Sequence, residues 1–329
     1  MNATTEYSTK RTIGYSALLL LATMIWGAAF VAQSTGGELI GPYSFSSIRF
    51  LIAGVLLLII ALIRKKKVKR NFKTLILGGV LAGLFLALAT NLQQLGLHFG
   101  TTAGKAGFIT ATYIVLVPVA GLLIFKKKSG WNIWIGIAIA LVSLYLLCVN
   151  ESFTFLLSDL LVLGCAIVFT FQILTIDKFA PLTDPFELSC VQFLTCGIVS
   201  AIPMIIFEIA KTPTEWASSF ANLDAWIPLL YAALLSSGVA YTLQTVGQRW
   251  VKPSLAALLM SFESVFAALS GWIILHESLT TREIIGCALM FVAVVIAQIP
   301  FNKIKKNNNI ENKEKEENNG TKTNDNNCD

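Results

Sequence analysis

The sequence predicts an all-α polytopic membrane protein: ten transmembrane helices arranged as two inverted five-helix repeats, with both termini cytoplasmic. Three observations predict it. A mean hydropathy of +0.69, with 55% hydrophobic and only 13% charged residues, excludes an ordinary soluble domain. Ten apolar stretches approach the roughly 20 residues that a helix needs to cross hydrocarbon. The third observation is that the second half repeats the first. At a constant shift of 143, Pro42/Pro185, Ser46/Ser189, Phe50/Phe193, Leu51/Leu194 and Gly54/Gly197 agree. At 151, Leu92-Gln93-Gln94-Leu95-Gly96 resembles Leu243-Gln244-Thr245-Val246-Gly247. At 150, Val115/Val265, Gly121/Gly271, Ile124/Ile274, Gly136/Gly286, Ala138/Ala288 and Val142/Val292 agree. Five spans per copy is an odd number, which turns the second copy upside down relative to the first, as in carriers that alternate between two membrane faces.

The chain divides into a cytoplasmic N-terminus at 1–12, a first repeat at 13–150, a second at 156–300 and a disordered cytoplasmic tail at 301–329. The first span, 13–32, is long for the apolar core of a signal peptide and ends in no small-x-small site, which predicts an uncleaved helix; Trp26 lies late in it. The second, 43–63, carries Arg49 about 9 Å inside its end at 1.5 Å per residue. Arginine cannot shed its charge, so Arg49 must snorkel, pair with an acid such as Glu263, or face water; a structural role is expected first. In the third span, 74–95, Asn91 and Gln94 share a face with His98, and Gln93 lies alongside. The fourth, 102–124, opens on Lys105, which either snorkels or faces the cavity and attracts anions. It carries Tyr113 deeper in and is loosened by Pro118 and Gly121.

The fifth span, 131–149, closes the first copy. The sixth, 156–176, carries Gln172; the seventh, 186–207, sets Gln192 at the position matching Arg49. In and just past the eighth, 226–247, Ser237, Tyr241, Gln244 and Gln248 recur four, three and four residues apart, which puts them on one helix face. The ninth, 253–275, places Glu263 ten residues past Pro253, at the midplane by its rise, and its mate at a shift of 150 is Tyr113. A central charge costs roughly 2.5–3.5 kcal/mol on insertion scales, so a glutamate there is retained for a cavity or a partner. Polar groups at matching depth in inverted copies are where a substrate or proton site is built. The same groups serve equally as interhelical glue, at about 0.6 kcal/mol per bond. The tenth span, 283–300, completes the second copy.

The net charge of +6 is a topology signal. Eighteen Lys/Arg fall in the segments on the side of the amino terminus, against Lys211 and Arg282 alone in the opposite loops, which predicts both termini inside and no nucleic-acid partner. Six cysteines include no CxxC pair; Cys148, Cys165, Cys190, Cys196 and Cys287 lie in spans and Cys328 in the tail, so no disulfide framework is expected. Gly100-Thr101-Thr102-Ala103-Gly104-Lys105 mimics a phosphate loop but has the wrong spacing, Ala106 in place of Ser/Thr, and no preceding strand. His98 and His276 lack zinc-type spacing. No catalytic residue, metal site or cofactor is expected. Gly79-x-x-x-Gly83 and Gly100-x-x-x-Gly104 are expected to bring helices close.

These residues carry a family resemblance. Trp26-Gly27, Arg49-Phe50, Thr101-Thr102-Ala103-Gly104-Lys105-Ala106-Gly107-Phe108, Leu116-Val117-Pro118, Ser261-Phe262-Glu263-Ser264-Val265-Phe266-Ala267-Ala268 and His276-Glu277-Ser278-Leu279 resemble the EamA family of the drug/metabolite transporter superfamily over about 13–300. Two departures stand out. Ser264 occupies a position where the family often has the proline that would bend the ninth span, and Phe169-Thr170 replaces the Trp-Gly pair in the second copy. The resemblance implies a secondary transporter, often an exporter, that moves a small polar or amphipathic metabolite, such as an amino acid or drug-like compound, across the plasma membrane by alternating access. The alternative is a lipid or amphiphile flippase or scramblase of the same fold. An enzyme is not expected, and a channel lacks charged rings or a filter-like segment. The expected partners are a small-molecule substrate and the lipid bilayer, with dimerisation left open. The candidate binding or coupling residues are Glu263, Tyr113, Tyr241, Gln244, Asn91, Gln94, Arg49, Lys105 and Trp26.

Overall fold

A computed structural model describes residues 9–64, 71–126, 129–148, 156–274 and 280–298. Most of the basic run after the second span, Lys127 and Lys128, the His276–Leu279 motif and the tail lie outside the described residues. Among the described residues every regular element is a helix. In order they are α1 (Thr9–Ile40), α2 (Pro42–Ile63), α3 (Phe72–His98), α4 (Ala103–Ala111), α5 (Tyr113–Phe125), α6 (Trp131–Cys148), α7 (Leu157–Phe179) and α8 (Pro185–Met204). There follow α9 (Pro213–Ser219), α10 (Trp226–Leu230), α11 (Tyr241–Gln248), α12 (Pro253–Met260), α13 (Glu263–Ile274) and α14 (Thr281–Gln298). π-Helical turns occupy Ile205–Ile209 and Tyr231–Ala240. Among the described residues, nine helical runs are long and apolar enough to cross a membrane, and Trp131–Leu147 is a shorter apolar helix. The molecule is thus a polytopic all-α membrane protein.

α1 runs on to Ile40, past the expected end of the first span near residue 32. One face of its polar extension is buried, while Thr35 and Glu38 are exposed. Gln33 is covered, and Gly36 and Gly37 sit so close to the Phe45 ring and the Gln94 amide that a Cβ at either would overlap them. The turn into α2 is made by Gly41 at φ 90°, where a side chain would also meet the Glu208 carboxylate. α2 starts with Pro42 and no cap of its own. Glu208, from the far end of the α8 run, accepts from Tyr43 N–H at 2.8 Å and Ser44 N–H at 2.7 Å, and so supplies the anion that a helix N-terminus favours.

Lipid chains are as apolar as leucine, so these helices associate by close packing and hydrogen bonds. α2 and α8 cross antiparallel and reciprocally: a Cβ on Gly54 would meet Leu194, and one on Gly197 would meet Leu51. Ser47 Oγ donates to Gly197 O at 2.9 Å, and Cys190 Sγ lies 3.6 Å from Gly54 O. α6 and α14 pair likewise, with Ser143 Oγ on Gly286 O and Asn132 Nδ2 on Ala297 O, both at 2.6 Å. Gly79 and Gly83 do bring helices close, meeting Val191, Gln192 and Thr195 of α8. Gly100 does not: at φ 103° with nothing within 4 Å, it serves the turn between α3 and α4, which needs the left-handed region.

The fourth and ninth spans are each broken midway. α4 yields to α5 at Thr112, and α12 to α13 at Ser261–Phe262. At both breaks the backbone tightens to i→i−3 bonds, Thr112 N to Ile109 O and Phe262 N to Leu259 O, each 3.2 Å. A hydroxyl reaches back in each case, Thr112 Oγ1 to Ile109 O and Ser261 Oγ to Leu258 O. The ninth span therefore breaks without a proline at Ser264, because a serine hydroxyl and a tightened turn replace the lost helical geometry.

Candidate functional site

Tyr113 is the first residue of α5 and Glu263 the first of α13, so the two breaks present these side chains at the ends of half-helices. Tyr113 Oη donates to Glu263 Oε1 at 3.3 Å. Both groups are buried, and the bond ties the fourth span to the ninth.

They line a cavity within the helix bundle. Its walls are Trp26, Phe30, Gln33, Arg49, Gln93, Thr110, Tyr113, Phe169, Ile173, Ser236, Tyr241, Gln244, Met260 and Glu263. Ten of these fourteen fall into five pairs at the shifts read from the sequence. Trp26/Phe169 and Phe30/Ile173 are 143 apart, Thr110/Met260 and Tyr113/Glu263 are 150 apart, and Gln93/Gln244 are 151 apart. One cavity is thus built largely from equivalent positions of the two halves. It takes in the first, second, third, fourth, sixth, eighth and ninth spans.

Tyr241 is the aromatic hub. Its ring lies 4.8 Å from Trp26, edge to face, 5.8 Å from Phe50 and 6.2 Å from Phe193. Trp26 is held from its other end, where its indole N–H donates to Ser236 O at 3.2 Å. That carbonyl lies within the π-helix Tyr231–Ala240, whose i→i+5 pattern shifts the register ahead of α11. The shift explains a difference from the helical-face reading: Ser236, not Ser237, reaches the cavity beside Tyr241 and Gln244.

Amides line the remainder. Gln93 Nε2 donates to Thr110 Oγ1 at 3.0 Å and Gln244 Nε2 to Gln172 Oε1 at 3.2 Å. Gln244 Oε1 and Gln172 Nε2 have no protein partner among the described residues. Asn91 and Gln94 lie outside the wall. Asn91 Nδ2 donates to Ala87 O at 2.8 Å and Ser200 Oγ at 2.7 Å, and Gln94 Nε2 donates to Gln33 O at 2.6 Å. Their amide nitrogens are spent on helix contacts, while Asn91 Oδ1 and Gln94 Oε1 have no partner among the described residues; Gln93, one position from the expected face, points inward.

The two cations differ. Lys105 is outside the wall: its ammonium meets Asp159 Oδ2 at 2.9 Å, with Asp159 fully buried and Lys105 only 13% exposed. Thr101 Oγ1 at 2.8 Å and Leu156 N–H at 2.7 Å complete the shell around that carboxylate. Arg49 is in the wall and only 1% exposed, so it does not snorkel. Among the described residues its guanidinium forms no hydrogen bond and no ion pair, with Glu263 or any other acid. It lies over the rings of Phe45 and Phe50 at 5.3 and 4.8 Å.

Phe30, Gln33, Thr110, Ile173, Ser236 and Met260 were not singled out from sequence, and Phe169 only as the counterpart of Trp26. For Phe169, Ile173, Thr110 and Met260 the repeat held a signal, since each is the mate of another wall residue. Ser236 had none, because no local pattern announces the π-helix.

A model of the EamA-like transporter family matches residues 13–149 and again 156–298. An uncharacterized transporter of Archaeoglobus fulgidus is 31% identical over 281 residues, covering 85% of this chain and 84% of the relative. The Bacillus subtilis uncharacterized transporter YoaV is 25% identical over 295 residues, 87% of this chain and 97% of the relative. The Escherichia coli K12 uncharacterized inner membrane transporter YedA is 25% identical over 283 residues, 84% and 88%. A solved crystal structure superposes with a TM-score of 0.70 at 18% identity, over 86% of this chain and 96% of that one, and shares the fold. The lipid-flippase expectation gains no support from these relatives.

Proposed function

Because the chain belongs to the EamA-like transporter family, we propose that this membrane transporter is a secondary carrier for a small polar or amphipathic metabolite, working by alternating access. The solute occupies the cavity at the centre of the bundle. Two upside-down copies enclose it, both termini lie in the cytoplasm, and the membrane is the plasma membrane. The observation that carries the reading is the lining of one cavity by five pairs of equivalent residues, two of them at matching breaks in the fourth and ninth spans. Antiparallel, reciprocal packing of α2 on α8 supports the inversion, since a two-fold axis in the membrane plane relates helices in that way.

The division of labour follows from the contacts. Trp26, Tyr241 and Phe169 offer ring faces to the apolar part of a solute, and Gln93 and Gln244 offer amides to its polar part. Glu263, bonded to Tyr113, takes part in binding or coupling. Export is the direction the family resemblance favours. The wall residues belong to both copies, so rocking one against the other opens the cavity to one face while closing it to the other. The test is counterflow in proteoliposomes holding the purified protein. A carrier drives labelled solute inward against unlabelled solute inside, transiently above equilibrium; simple equilibration without overshoot would mark a pore and end the carrier reading.

A further inference from the structure

The strongest feature left unused is a buried cation in the cavity wall. Arg49 is 1% exposed, permanently charged, and contacts the cavity, yet among the described residues nothing hydrogen-bonds or neutralises it. Among the described residues its Nε has no hydrogen-bond partner, and its guanidinium carbon lies 5.3 and 4.8 Å from the Phe45 and Phe50 ring centroids, contacts that use none of its N–H groups. Glu263 in the same cavity is engaged by Tyr113 rather than by Arg49. An uncompensated buried charge is unfavourable, and in a transporter cavity the natural compensating group is one the solute brings. We propose that Arg49 is the anchor for an anionic group of the solute, and that the solute is a monoanion bearing a carboxylate on a compact, partly apolar body.

The planar fork of an arginine matches a carboxylate in two parallel hydrogen bonds. The remaining wall is neutral amide, hydroxyl, aromatic and aliphatic surface, apart from Glu263, which disfavours a second negative charge. A dianion such as a phosphate monoester is therefore a poor fit. Trp26, Tyr241 and Phe169 complete the site by covering the apolar body.

This inference rests on the carrier reading, and the experiment separates the two. Proteoliposomes loaded with unlabelled extract of the host cells are exposed to the same extract carrying uniform carbon-13, and the solutes that exchange are identified by mass spectrometry. The expected result is that exchanged solutes are monoanions, with one carboxylate and no ammonium group to balance it, and that their exchange falls about tenfold or more in Arg49→Gln, with partial retention in Arg49→Lys. Exchange confined to neutral or purely cationic solutes overturns the anion anchor and leaves the carrier reading standing, as does carboxylate exchange undiminished in a folded Arg49→Gln. Exchange of no solute by wild-type protein overturns both. If Arg49→Gln fails to fold, the charge of the solutes exchanged by wild type decides the matter by the same criterion.

Discussion

Lys105 sits where a cavity-facing cation would attract anions, yet it spends its charge on Asp159, and the consequence can be worked out. Lys105→Met removes the ammonium 2.9 Å from a fully buried carboxylate. Removing one partner from a buried pair costs about 3–5 kcal/mol. Asp159 retains donors from Thr101 Oγ1 and Leu156 N–H, and the lysine is partly exposed, so the loss falls toward about 2–3 kcal/mol. Adding Asp159→Asn removes the stranded charge while keeping an oxygen for the Leu156 N–H, so the double variant should recover about 1 kcal/mol. Reversible unfolding of the purified protein in micelles of rising dodecyl sulfate content, followed by helicity, measures all three. Proteoliposome uptake of the labelled extract should show apparent affinity unchanged for the folded fraction. Lys105→Met within about 0.5 kcal/mol of wild type, together with weakened solute affinity, would refute the structural assignment and return Lys105 to the transport path.

Gly27→Ala drives a methyl to 2.6 Å from the backbone of Phe266 and Ala267, which cannot swing aside, so melting should show a loss of about 1–3 kcal/mol. Gly107→Ala meets only the Phe30 ring at 3.7 Å and should be near neutral in the same assay. Glu263→Gln keeps an oxygen for Tyr113 and the same volume, so folded yield should hold while exchange falls about tenfold or more; unchanged exchange would remove Glu263 from the mechanism. Glu208→Gln takes the charge from the start of α2 and should cost about 1 kcal/mol on unfolding, and no measurable change would show that this cross-helix cap carries little.

Hydropathy made the spans legible, because a helix facing lipid must be apolar over its whole crossing. It failed beyond residue 32, where Gln33 to Ile40 continue α1 through burial against neighbours that hydropathy cannot see. The shift of 150 made the Tyr113–Glu263 pairing legible, although their hydrogen bond spans two halves of the chain. Asp159 went unnoticed as the partner of Lys105 because it lies at the start of another span and only folding brings the two together. The stripes on the third and eighth spans place Tyr241 and Gln244 in the cavity wall and miss it by one position elsewhere. Gln93 replaces Asn91 and Gln94 in the wall, and the π-helix turns Ser236 inward in place of Ser237. Glu208 gave no signal, since a side chain that caps a distant helix leaves no mark in its own surroundings.

The proposal of two inverted copies around one cavity meets its most direct test at His98 and Arg249, positions 151 apart at the ends of α3 and α11 and outside the cavity wall. Single cysteines are placed there in turn, in protein freed of its native cysteines, and challenged from each side of the membrane with an impermeant thiol reagent. Inverted copies predict that His98→Cys reacts from the outer face and Arg249→Cys from the cytoplasmic face. Modification of both from the same face would contradict the arrangement on which the transport account depends.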